Sequence, residues 1–166
     1  PENPERFFIA RSMAPALVTP ADIVEVDLTG QVHDAQGRRT YVERFIHSAI
    51  YQARPDVMSV IHSHSPAVIP FGAGIPAKTR GLGASNVALM RGHGSVTVGN
   101  AIKQAVFRGI YTESNARLQA EASRLGEITF LTEAEAKATS DMNDQHLDRP
   151  WEMWKRKVQR QTAGLD

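Results

Sequence analysis

This sequence predicts a single α/β domain, and three observations predict it. Short strand patterns open the chain, at Arg6 to Ala10 and at Ile23 to Leu28, the second with the alternation of a sheet that has two unlike faces. The period then becomes helical, with Val42, Phe45, Ile46, Ala49, Ile50 and Ala53 recurring every three or four residues until Pro55 limits continuation. Two further apolar runs, around Val60 to Ser65 and Val87 to Met90, read as strands and precede a long helical stretch. The 166 residues suffice for one core, and 42% hydrophobic against 22% charged residues is an ordinary globular balance.

Between these elements the punctuation is legible. Thr19-Pro20-Ala21-Asp22 and Asp34-Ala35-Gln36-Gly37 are turns. Residues 64 to 86 carry Gly72, Gly74, Pro76, Gly81 and Gly83 with little apolar periodicity, a connection longer than compact domains usually hold. Ser95 to Val98 is a short strand, and Gly99-Asn100 leads into a helix with Ile102, Ala105, Val106, Ile110, Ala116 and Ala120 on one face. Glu113 falls within that face, so it needs a partner: an internal salt bridge, or a metal-bound histidine that it orients. Thr132-x-x-Glu135 is a capping box, and Asp148-Arg149-Pro150-Trp151 is a helix start, with Trp151, Trp154 and Val158 on one face. Paired tryptophans on a terminal helix mark core or subunit packing, or substrate contact.

The chemistry-bearing stretch is Val60-Ile61-His62-Ser63-His64-Ser65. On a strand, residues two apart point to the same face, about 6.5 to 7 Å apart along it, so both imidazoles can converge on one ion. A third histidine stands in Arg91-Gly92-His93-Gly94, where the flanking glycines allow φ > 0 and a close backbone approach to a ligand. Three histidines at strand ends suit a catalytic metal site with an open position. Spacing alone equally allows a hydrogen-bonded surface pair and an unrelated loop histidine. Glu43 and His47, at i and i+4 on the predicted helix, either pair with each other in solvent or ligate together.

Composition narrows the function class. A formal net charge of +1 makes no electrostatic case for nucleic acid, and Lys155, Arg156, Lys157 and Arg160 read as a solvated helix face. There is no cysteine, which removes disulfides and thiolate chemistry and suits a reducing cytosol. No apolar run approaches the roughly 18 residues of a membrane span, so no membrane partner is expected.

Taken together, Glu43-x-x-x-His47, Arg54-Pro55-Asp56-Val57, Val60-Ile61-His62-Ser63-His64-Ser65 and Gly92-His93-Gly94 look like the class II aldolase/adducin family. The resemblance runs from about Phe7 to Leu125. It implies a three-layer α/β/α fold with a mixed, mainly antiparallel central sheet, assembled as a homo-oligomer, usually a tetramer with sites at subunit boundaries. It also implies that His62, His64 and His93 bind a divalent metal, and that Glu43 is a further ligand, a proton donor or both. His47 has no assigned role. Against the family pattern, residues 1–166 form one domain lacking an N-terminal segment and part of the 72–86 loop.

Where the family's sugar-phosphate aldolases carry phosphate-holding serines before the acid residue, this chain has Tyr41 and Val42, which donate far less. Arg11-Ser12-Met13-Ala14-Pro15, Arg91-Gly92-His93-Gly94 and Arg149-Pro150-Trp151-Glu152-Met153-Trp154 instead resemble the aromatic decarboxylase branch, whose members act on hydroxypyridine dicarboxylates and dihydroxyphthalates. The resemblance implies a cytoplasmic decarboxylase of a small aromatic carboxylate, working through a metal-stabilised enolate with Glu43 as proton donor. Mn²⁺ is the implied ion, with Zn²⁺, Co²⁺ or Fe²⁺ compatible with the same ligands. Arg11, Ser12, Tyr41 and Arg91 are the substrate-binding candidates, the arginines because a guanidinium grips a carboxylate at two points. Either arginine alternatively forms an internal ion pair. A sugar-phosphate aldolase or epimerase, and a non-catalytic adducin-like interaction module, are the other readings.

Overall fold

The strands at Arg6–Ala10 (β1) and Ile23–Asp27 (β2) form where their alternation places them. They pair antiparallel, Phe7 opposite Val26 and Ile9 opposite Val24, which brings the four apolar side chains to one face of the sheet. A two-residue strand, Val32–His33 (β3), completes a sheet of order β1-β2-β3. The computed structural model describes residues 3–33, 35–73 and 82–164. It divides into two compact units, Pro1–Val57 and Met58–Asp166.

In the first unit Phe7, Val24 and Val26 are buried, with Ile9, Leu28, Val32 and Tyr51 packed against them. Tyr51 comes from the helix Arg44–Ala53 (α1) and meets Phe7 at a ring separation of 5.2 Å. His47, one turn earlier, stacks on the same ring. Not all of the predicted apolar face is buried: Val42 is 73% exposed because the helix begins two residues after it. Phe45 is half exposed and covers Gly30, whose φ of +88° and missing Cβ leave room for the ring.

The turn before β2 is closed by Asp22, whose Oδ2 accepts from the Thr19 amide at 2.9 Å and the Thr19 hydroxyl at 2.7 Å. Gln36 and Gly37 both have positive φ, as a turn there requires, while Asp34 lies outside the described residues.

The second unit is a sheet of order β4-β6-β5 with a long helix on it. Its strands are Ser59–Ser63 (β4), Val87–Met90 (β5) and Gly94–Gly99 (β6). β6 is buried at all six positions because it is central and carries the helix Ile102–Leu125 (α3), whereas β5 is a half-buried edge. Of the predicted face of α3, Ala105 and Ala116 are buried while Ile102 and Ile110 are exposed, and Gln104 is buried next to Ala105. Gln104 goes inward because its side chain accepts a hydrogen bond from the Asn100 amide at 2.8 Å.

A short helix, Ile69–Ala73 (α2), follows His64 where no element was expected, and the rest of that connection, 74–81, lies outside the described residues. The helices Glu133–Asp144 (α4) and Asp148–Thr162 (α5) start where the capping box and the Asp-Arg-Pro signal place them. Arg108 to Asp144 and Lys103 to Asp148 ion pairs tie α3 to this tail, and Trp154 lies against Phe107 at 6.4 Å between ring centres. The contact favours packing as the role of Trp154. Lys155, Arg156, Lys157 and Arg160 are exposed on α5. No helix among the described residues is long and apolar enough to cross a membrane.

Candidate metal centre

Sheet register decides where the three histidines meet. In the antiparallel β4-β6 pair, His62 faces Val96 and Ser63 faces Ser95, so the end of β4 lies beside the start of β6. The turn from β5 into β6 runs Met90 to Gly94, with His93 donating its amide to the Met90 carbonyl at 3.1 Å. His93 therefore leaves the sheet at the edge where β4 delivers His62 and His64.

The two glycines beside His93 serve different ends. Gly92 has φ of +64°, with open space where a Cβ would stand. Gly94 does not need the left-handed region, but a Cβ on it would strike the Ser63 carbonyl and lie 3.2 Å from His64 Cδ2. That close backbone approach is made to the neighbouring strand, where the sequence pattern suggested an approach to a ligand. His64 itself stands one residue beyond the end of β4.

All three rings turn the same nitrogen inward. His62 and His64 Nε2 are 2.7 Å apart, and each is 3.1 Å from His93 Nε2. His62 is half-buried and the other two are exposed, so the cluster is open on one side. Uncoordinated imidazoles can share at most one proton per nitrogen pair, which leaves three converging Nε2 atoms poorly satisfied by one another. A divalent ion takes imidazole nitrogens at about 2.0 to 2.1 Å, which requires ligand separations below about 4 Å. The observed spacing meets that requirement, and the donor set is one that binds transition metals. The group can hold a metal ion.

Other predicted residues are placed as follows. Glu43 occupies the N-cap position of α1 and is partly exposed. Arg11 donates from Nε to Asp22 Oδ1 at 2.6 Å, so of its two readings the ion pair is formed. Tyr41 donates its hydroxyl to the Met13 carbonyl and accepts the Met13 amide at 3.2 Å, tethering the chain next to Ser12. Ser12 is exposed, its amide bonded to the Arg39 carbonyl at 2.8 Å. Arg91 is exposed next to the Gly92-His93 turn. Glu113 forms a salt bridge with Arg117 at 2.6 Å, which holds its carboxyl below the usual range, with a smaller contribution from the Ser65 hydroxyl. The roles of Ser63 and Ser65 had no signal beyond their adjacency to the histidines.

The model of the class II aldolase and adducin N-terminal domain matches residues 2–80 and 73–120. This chain belongs to the class II aldolase and adducin family. The family member called decarboxylase tropJ, from Talaromyces stipitatus, is 32% identical over 232 aligned positions that include 99% of this chain and 85% of that protein. Among solved structures, an L-fuculose 1-phosphate aldolase from Glaciozyma antarctica superposes with a TM-score of 0.74 and 28% identity, over 84% of this chain and 68% of that one. An aldolase II superfamily protein from Pseudomonas syringae gives 0.76 at 22% identity, over 95% and 79%. The α/β fold is that of the class II aldolases, and membership of this enzyme superfamily together with a decarboxylase relative supports a lyase.

Proposed function

We propose that this protein is a metal-dependent decarboxylase of a hydroxylated aromatic or pyridine dicarboxylate. The observation that carries the reading is the convergence of His62, His64 and His93 through Nε2 within 3.1 Å. Similarity over nearly the whole chain to a decarboxylase favours loss of CO₂ over aldol cleavage. Tyr41 and Val42, in place of phosphate-holding serines, point the same way.

In this reading the three histidines hold one divalent ion, Mn²⁺ first among Mn²⁺, Zn²⁺, Co²⁺ and Fe²⁺, and Glu43 joins them as ligand or acid. The ion, when bound, supplies Lewis-acid stabilisation for the charge that develops on the ring oxygen. Arg91, exposed beside the site and without an ion-pair partner among the described residues, is the side chain best suited to grip a substrate carboxylate. Arg11, Ser12 and Tyr41 complete the proposed substrate set, Arg11 through the part of its guanidinium that Asp22 leaves over. The ring-to-carboxylate bond breaks, its electron pair stays on the ring, and CO₂ departs. A protonated Glu43 then forms the new carbon to hydrogen bond and is reprotonated from solvent. We also read the protein as a homo-oligomer, most simply a tetramer, in a reducing cytoplasm.

A sugar-phosphate aldolase or epimerase is the second reading, supported by the likeness to an L-fuculose 1-phosphate aldolase. The deciding experiment assays Mn²⁺-loaded protein and its Glu43→Gln variant for CO₂ release from hydroxylated aromatic dicarboxylates and for cleavage of ketose phosphates. The expected result is CO₂ release alone, lowered by about 10²-fold in the variant, the scale of losing a general acid. Ketose phosphate cleavage without CO₂ release transfers the assignment to the aldolase, and inactivity on both by metal-loaded oligomer favours an interaction module.

A further inference from the structure

Two adjacent arginines of the first unit have different fates. Arg38 is committed to the turn before it, donating from Nε to the Ala35 carbonyl at 3.0 Å and from Nη1 to the Ala21 carbonyl at 2.6 Å. Arg39 is exposed, and among the described residues its side chain has no hydrogen bond or ion pair. Its backbone, by contrast, is fixed. Arg11 and Thr40 form an antiparallel bridge, and beside it the Ser12 amide donates to the Arg39 carbonyl at 2.8 Å. Tyr41 clamps the same two segments together, its hydroxyl donating to the Met13 carbonyl and accepting the Met13 amide at 3.2 Å.

Register decides which side chains share a face. Phe7 and Ile9 of β1 stand opposite Val26 and Val24 on the core side. Arg11 continues that row, its amide bonded to the Asp22 carbonyl and its Nε to Asp22 Oδ1 at 2.6 Å. Side chains alternate along a strand, so Ser12 falls with Phe8 and Ala10 on the other face. Arg39 lies directly across from Ser12 and shares that face, at the Cβ separation of about 4.5 to 5.5 Å usual for a cross-strand pair. The cation beside Ser12 is therefore Arg39. The one carboxylate of β2 on the same face near it, Glu25, is already held by Arg6 at 2.7 Å, and the positions between, Ala10 and its partner Ile23, are apolar, with Ile23 39% exposed. A hydroxyl and an unpaired guanidinium thus stand side by side on a clamped backbone next to a small apolar surface, an arrangement that suits an aromatic acid.

We propose that Arg39 is a specificity-determining residue, its guanidinium and the Ser12 hydroxyl taking the substrate carboxylate that is not lost as CO₂. The inference rests on the reading of the protein as a decarboxylase of an aromatic dicarboxylate, with Ser12 in its substrate set. The guanidinium presents two parallel N–H donors to the two carboxylate oxygens, and the hydroxyl adds a third donor. A lysine at 39 would keep the charge and lose the fork.

The test has two arms, both on the full chain. Calorimetric titration of the metal-free protein with phthalate, an aromatic dicarboxylate without the ring hydroxyl, reads the carboxylate site alone. Arg39→Ala should weaken phthalate binding about tenfold or more, the scale of losing a hydrogen bond to a charged group, with Arg39→Lys recovering part of it and Ser12→Ala losing less. The melting temperature of Arg39→Ala should stay at the wild-type value, since the side chain holds nothing in the fold. In the second arm, the Mn²⁺-loaded protein acting on a hydroxylated aromatic dicarboxylate should show KM raised about tenfold by Arg39→Ala and kcat lowered far less, the pattern of lost ground-state binding. Equal phthalate affinity in wild type and Arg39→Ala, or no phthalate binding by wild type, overturns the proposal. CO₂ release with a KM that Arg39→Ala leaves unchanged also overturns it while leaving the decarboxylase reading intact. Phthalate bound through Arg39 by a metal-loaded protein that releases no CO₂ defeats the decarboxylase reading, and the specificity role with it.

Discussion

The carbonyl oxygen of Ser63 occupies the place where a Cβ on Gly94 would have to stand. β4 and β6 can close at that end only because residue 94 has no side chain, and the closure brings His64 and His93 together. Gly94→Ala must part the strands or bend the turn, a backbone overlap costing about 1 to 3 kcal/mol. Gly92→Ala meets no neighbour but retains φ of +64°, for about 1 to 2 kcal/mol of strain. The expected difference lies less in stability than in function. Denaturant titration should show both variants weakened, while Mn²⁺ uptake should be lost in Gly94→Ala and largely kept in Gly92→Ala. Equal uptake by both would show that strand closure is not what assembles the three imidazoles.

Asp22 supplies a pH dependence with a definite sign. The Thr19 hydroxyl, then the Arg11 guanidinium, and then the Thr19 amide hold its carboxyl down to about 2 from 3.8. A carboxyl depressed in the folded state adds stability that is present above its unfolded pKa of about 3.9 and disappears as pH falls through the folded value. Acid unfolding followed by circular dichroism between about pH 5 and 1.5 should therefore be less steep for Asp22→Asn from about pH 4 to about 2. Parallel curves for variant and wild type would remove Asp22 from the acid response.

Thr132 opens α4 by accepting the Glu135 amide at 3.3 Å, while Glu135 accepts the Thr132 amide at 2.8 Å. Every residue of α4 except Asn143 is exposed, so little tertiary packing backs this cap. Thr132→Ala should cost about 1 kcal/mol, felt locally. Amide exchange along α4 should accelerate several-fold with the global melting temperature almost unchanged. A drop in the global melt of the size expected for a core substitution would mean that α4 unfolds together with the sheet.

These relationships divide by the range over which they act. The strand at Arg6–Ala10, the helix capped by Thr132 and the helix beginning at Asp148 were legible because alternation, capping boxes and Pro at a first turn are set by neighbours a few residues away. The three histidines were legible as candidates for a related reason, two of them at strand spacing and the third in a glycine-flanked turn. What the pattern left open was whether they meet. Their Nε2 atoms converge because the turn from Met90 to Gly94 delivers His93 beside a β4 strand whose His62 faces Val96, a register linking residues about thirty apart that no local spacing specifies.

Exposure was decided by tertiary structure as well. Val42 and Ile102 satisfy a helical period yet lie in solvent, because α1 begins after Val42 and α3 begins at Ile102, where little packs over the first turn. The same holds for Arg11, paired with Asp22, and for Tyr41, bonded to the Met13 backbone. Residue type by itself determined what these side chains can bind, and the folded partners decided what they do bind. A charge or hydroxyl brought beside an internal partner takes it, since leaving either group desolvated and unpaired costs more than the order imposed.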